Sequence, residues 1–138
     1  MHKLPAVLLV DDDDTTNYLN QLLFQRLAVT EQLLTALNGQ EALRVLQNCS
    51  PQGPSPCPTL ILLDMKMPVM DGFEFLEAYV RLPAVQREAV IIMLTTSLNP
   101  LDMGRMQNLP IAGFLSKPLT KEKIRTVLQR HFGQAVAD

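Results

Sequence analysis

No apolar stretch in these 138 residues approaches the roughly 20 that a membrane helix needs, so no bilayer-spanning segment is expected. Excess positive charge is also missing. Twelve Lys and Arg face 14 Asp and Glu for a formal net charge of −2, which argues against nucleic acid or an anionic membrane as a partner bound through bulk charge. Cysteine is scarce: Cys49 and Cys57 lie eight apart in "NCSPQGPSPCP" with no His nearby, so metal-ligand spacing is absent. Free thiols are expected in a reducing compartment, with a regulatory disulfide closing this loop as the alternative. The opening "MHKLPAVLLV" lacks a small-residue cleavage site and runs into acids, so it reads as a first strand rather than a secretion signal. A soluble, cytoplasmic chain without internal repeats is expected.

What is present suits one domain over 1–138 with a core of about 5–132, since 47% of the residues are hydrophobic. Three continuous apolar runs, "PAVLLV" at 5–10, "TLILLD" at 59–64 and "AVIIML" at 89–94, have the Val, Ile and Leu content of strands buried on both faces of a parallel sheet. The more mixed "EQLLTA" at 31–36 and "IAGFL" at 111–115 suit its edges. Helical patterns separate them. Over 15–27, Leu19, Leu22, Leu23 and Leu27 share a face. Asn38 stands three residues before Glu41 as an N-cap, Asp71 caps "GFEFLEAYV", and Asn99-Pro100 opens a helix over "NPLDMGRMQNL". The last helix begins near Thr120 and is expected to bury Ile124, Val127, Leu128 and Phe132. Five strands alternating with five helices predict a doubly wound α/β domain with right-handed crossovers. The loop 49–58, rich in proline, is a surface excursion at the end of the third strand opposite Asp64.

In such sheets ligands collect beyond the carboxyl ends of the strands. There stand Asp11 and Asp12 after the first strand, Asp64 at the third, Thr95 at the fourth and Lys117 with Pro118 after the fifth. Three carboxylates converging on one rim oppose each other's ionisation. A divalent cation relieves that conflict, and Mg²⁺ favours a few carboxylates with water and phosphate oxygens. Lys117 offers a point charge and Thr95 a hydroxyl to a phosphoryl group. Asp13 and Asp14 suit the cap and first turn of the next helix instead.

"LLVDDD", "LILLDMKMPVMDG", "IIMLTTS" and "GFLSKPL", in this order, resemble the response-regulator receiver domains of two-component signalling over nearly the whole chain. The resemblance implies a five-stranded flavodoxin-like sheet in the order 2-1-3-4-5. It implies phosphorylation of Asp64 by a histidine kinase or phosphorelay partner, and Mg²⁺ held by Asp11, Asp12, Asp64 and the backbone carbonyl of Lys66. It further implies a Thr95 and Phe114 switch, a cis peptide before Pro118, and tuning of phosphate lifetime by Lys66 and Ser97. Neither of these two could position a water well, so a long-lived phosphoryl group is expected. Thr96 is larger than the family's usual residue and would narrow access.

The implied role is a signalling regulator rather than an enzyme, a stand-alone receiver, monomeric or weakly dimeric, that contacts a downstream protein. Candidate contacts are Leu101, Met103, Met106 and Phe114, with Lys121, Lys123 and Arg125 as a basic flank. Two alternatives stand beside it. "DDDDT" also fits the D-x-D-x-T pattern of haloacid-dehalogenase-type phosphatases, with Asp11 as nucleophile and Asp13 as acid. A phosphorylation-independent interaction module is the other.

Overall fold

The computed structural model describes residues 3–50, 53–96, 101, 104 and 108–133. Five parallel strands, β1 (Leu4–Val10), β2 (Thr30–Ala36), β3 (Leu60–Asp64), β4 (Val90–Thr95) and β5 (Gly113–Ser116), form one sheet in the order β2-β1-β3-β4-β5. The three purely apolar runs occupy the centre and the two mixed ones the edges. Among the described residues the α-helices with defined bounds are α1 (Asp14–Leu27), α2 (Gly39–Gln47), α3 (Gly72–Tyr79) and α4 (Lys121–Phe132). The helix expected over 99–109 lies largely outside the described residues, as do Ser97, Met103 and Met106.

Alternation within the central strands divides the core in two. Leu8, Val10, Ile61, Leu63, Ile91 and Met93 pack against α2 and α3, including Leu46, Phe75 and Leu76. Val7, Leu9, Leu60, Leu62, Ile92 and Leu94 turn to the other face, where Phe24 and Leu27 of α1 meet Ile124, Val127 and Leu128 of α4. Burying each such side chain contributes roughly 1.5–3 kcal/mol. Phe132 is only partly buried.

Side chains close the helix starts. The Asp13 carboxylate accepts from the Thr15 N–H and the Thr16 hydroxyl. Asn38 accepts from the Glu41 N–H, Asp71 and Glu74 form a reciprocal capping box, and Thr120 accepts from the Lys123 N–H.

One expectation is refined and one corrected. The inward face of α1 is Asn17, Asn20, Phe24 and Leu27, while Leu19 is 54% exposed. Of the four leucines Leu27 is buried and Leu23 packs partly against the core, while Leu19 turns outward and Asn17 and Asn20 take inner positions. Secondly, Cys49 and Cys57 are not free thiols: they form a disulfide with their Cα atoms 4.8 Å apart. The loop doubles back on itself, with the Ser50 N–H donating to the Ser55 carbonyl, and this turn brings the two cysteines into bonding range.

Candidate functional site

Parallel register decides which side chains meet. Val10 pairs with Leu63, Asp64 with Leu94 and Thr95 with Ser116. Asp11, Asp64, Thr95 and Lys117 therefore stand within two residues of the same level, at one rim of four adjacent strands. Asp11, Asp64 and Thr95 are buried; Asp12 is exposed.

One carboxylate oxygen from each of Asp11, Asp12 and Asp64 lies within 4.8 Å of the others. Mg²⁺ bonds oxygen at about 2.1 Å, so this spread suits an ion that takes some carboxylates directly and reaches others through water. Lys117 already sets positive charge among them. Its Nζ lies 2.8 Å from Asp11 Oδ2 and 3.3 Å from Asp64 Oδ1. The other Asp11 oxygen accepts from the Asp13 N–H at 3.0 Å. Asp11 thus has both oxygens occupied, and the exposed Asp12 is the acid more open to an incoming cation.

Burial pushes the Asp64 carboxyl above its ordinary value. The Lys117 charge pulls it down, the Asp11 charge pushes it up again, and the Lys66 N–H, 3.4 Å from Asp64 Oδ1, helps to lower it. Burial alone would lower Lys117, but its bonds to Asp11 and Asp64 outweigh this and hold it above the usual lysine value. Lysine and aspartate are each adjusted by the other.

A cavity of about 200 Å³ is lined by Asp64, Met65, Lys66, Thr95, Thr96 and Lys117. At roughly 30 Å³ per water it holds several waters or a phosphoryl group. Thr96 stands at its exposed edge. The peptide between Lys117 and Pro118 is cis. Phe114 on β5 is 38% exposed and belongs to neither core cluster. Asp13, the acid required by the phosphatase alternative, uses both oxygens to cap α1.

Sequence reasoning overlooked Asn17. It is 5% exposed, and its Nδ2 donates to the Asp11 carbonyl at 2.9 Å and to the Ala36 carbonyl at 3.3 Å. A polar residue on the inner face of a helix beginning beside the acids was the available signal. It was obscured by the more conspicuous leucines.

Comparison with known proteins agrees with this geometry. The family profile described as "Response regulator receiver domain" matches residues 7–129. Two-component response regulator 24 of Arabidopsis thaliana is 34% identical over 128 residues, covering 93% of this chain and 84% of that protein. Response regulator Rcp1 of Synechocystis is 32% identical over 112 residues, covering 81% and 76%. The solved structure of the Vibrio cholerae chemotaxis response regulator CheY4 superposes with a TM-score of 0.75 at 32% identity, covering 93% of this chain and 98% of that one. With the sheet order, the acidic rim and the sequence match in agreement, the chain belongs to the response-regulator receiver domains of two-component signalling.

Proposed function

We propose that this receiver is a phosphorylation-dependent switch that accepts a phosphoryl group on Asp64 and passes the signal on by binding another protein. The observation that carries this reading is the placement of a buried aspartate at the end of β3, 3.3 Å from Lys117 Nζ and within 4.8 Å of two further carboxylates. The donor is the phosphohistidine of a kinase or phosphotransfer protein. An Asp64 oxygen attacks phosphorus, the phosphorus–nitrogen bond breaks, and the imidazole leaves with the bonding electrons. Lys117 neutralises charge on the phosphoryl oxygens and the Thr95 hydroxyl donates to one of them. Asp11, Asp12, Asp64 and the Lys66 carbonyl would hold Mg²⁺, which supplies further charge neutralisation at those oxygens.

An apolar groove of about 570 Å³, lined by Leu19, Leu22, Leu23, Pro118 and Leu119, borders the acceptor cavity through Thr96 and Lys117. It offers the donor a surface beside the acceptor.

Output runs through the face that carries Phe114. Phosphate on Asp64 draws Thr95 inward, and Phe114 repacks into the space vacated, favouring one of two arrangements by a few kcal/mol. Leu101 is 82% exposed and Phe114 is available on β5. Lys123 is committed elsewhere, since its Nζ donates to the Ser116 and Pro118 carbonyls and to the Ser116 hydroxyl, tying the β5–α4 turn. Lys121 belongs to the basic flank, and Arg125 pairs with Glu122 at 3.8 Å. Lys66 and Ser97 leave no acid or amide to position a hydrolytic water, so the phosphoryl group is long-lived.

Acetyl phosphate with Mg²⁺ tests this. One base-labile phosphoryl mass on Asp64, absent in Asp64→Asn, is expected, with slow decay. Loss of the label within seconds refutes the long lifetime. Phosphatase turnover surviving in Asp64→Asn would favour the dehalogenase-type reading, and no label on a folded chain would favour the phosphorylation-independent module.

A further inference from the structure

We infer that Asn17 is a positioning residue for the acidic pair, fixing the peptide that joins Asp11 to Asp12 so that both carboxylates face the cation site. This rests on the phosphoacceptor reading above. The carbonyl to which Asn17 Nδ2 donates, at 2.9 Å, belongs to the peptide unit between the two aspartates. Holding that carbonyl restrains the backbone rotation after Asp11 and before Asp12, and hence the angle between their side chains. The same Nδ2 reaches the Ala36 carbonyl at 3.3 Å, which also accepts from the Asp11 N–H at 3.1 Å. Asp11 is therefore held at its N–H by the end of β2, at its carbonyl by α1, and at its carboxylate by Asp13 and Lys117.

Asn17 Nδ2 serves the Asp11 carbonyl, which leucine could not do, while its Oδ1 is buried without a protein hydrogen-bond partner. Leucine is available nearby, yet α1 turns Leu19 outward and Asn17 inward. The orientation that buries Phe24 and Leu27 also turns Asn17 inward, where it grips the Asp11 carbonyl.

Mg²⁺ alone is titrated calorimetrically into the full-length chain, wild type, Asn17→Leu, Asn17→Ala and Phe24→Leu, below the melting temperature of each. Loss of a residue that orients metal ligands typically weakens metal binding 10–100-fold. Both Asn17 variants should raise the Mg²⁺ dissociation constant about tenfold. Phe24→Leu, which trims the same buried face away from the rim, should lower the melting temperature without moving that constant. Wild-type affinity in both Asn17 variants, whatever their melting temperatures, overturns the proposal while leaving the phosphoacceptor reading intact. A folded wild-type chain that takes neither Mg²⁺ nor a phosphoryl group from acetyl phosphate refutes that reading, and this inference with it.

Discussion

Lys117 Nζ lies 2.8 Å from Asp11 Oδ2, although 106 positions separate the two residues. Replacing this lysine with methionine removes the charge that counters the Asp11 and Asp64 carboxylates and that would meet an arriving phosphoryl group. Acetyl phosphate labelling of Asp64 should fall by roughly 10²–10³-fold, the usual loss on removing one preorganised donor. Mg²⁺ binding should not weaken, because the missing charge repels a cation. Labelling at the wild-type rate would contradict the role given to Lys117.

Gly72 packs closely against the backbone of Asp64 and Met65. A Cβ there would lie 2.8 Å from the Asp64 carbonyl oxygen and 3.2 Å from Met65 Cα, both backbone atoms that cannot swing aside. Gly72→Ala should cost about 1–3 kcal/mol in urea unfolding and slow labelling as Asp64 is displaced. Wild-type stability would show that the β3–α3 loop can yield.

Val69, in the same loop, has φ at +69° and is 73% exposed. A β-branched residue is strained in the left-handed region and gains no burial here in return. Val69→Asn should raise stability by about 1 kcal/mol, read as a higher urea midpoint with unchanged slope. A lower midpoint would argue against strain at this position.

The Cys49–Cys57 disulfide closes a short loop at the amino-terminal end of β3, with Asp64 at the other end of the strand. Reduction, or Cys57→Ser, should lower stability by about 2–3 kcal/mol through the regained entropy of the unfolded chain. Labelling of Asp64 should not change. A labelling rate that tracks the redox state would connect the two ends of the strand.

Tyr79 links stability to alkaline pH. Burial pushes its hydroxyl above the ordinary tyrosine value, although the Ala89 N–H, 3.1 Å from the oxygen, acts in the opposite direction. Below pH about 10 the phenol is protonated in both folded and unfolded chains and adds no pH dependence. Above it the unfolded chain gives up the proton first, so stability falls as pH rises towards the folded value. Tyr79→Phe should cost about 1 kcal/mol at neutral pH, since the Ala89 N–H loses its acceptor. It should also flatten the alkaline fall. An equally steep fall in the variant would assign it to other groups.

The amino-acid sequence by itself determined the class of fold and the membership of the rim. Strands buried on both faces must be apolar throughout, so "AVLLV", "LILL" and "VIIML" stand out, and the polar residues that end them must lie at the sheet's edge. The 2-1-3-4-5 order came from resemblance, because apolar runs do not say which strand lies beside which. Tertiary structure alone decided that Lys117 sits between Asp11 and Asp64, since register across four strands sets that distance. It also decided which face of α1 turns inward. Helical spacing is satisfied by the leucine stripe as well as by Asn17, Asn20, Phe24 and Leu27, and the choice falls to the Asp11 and Ala36 carbonyls that Asn17 reaches. The disulfide followed the same logic, because the turn that joins Cys49 to Cys57 is a property of the folded loop and not of their spacing.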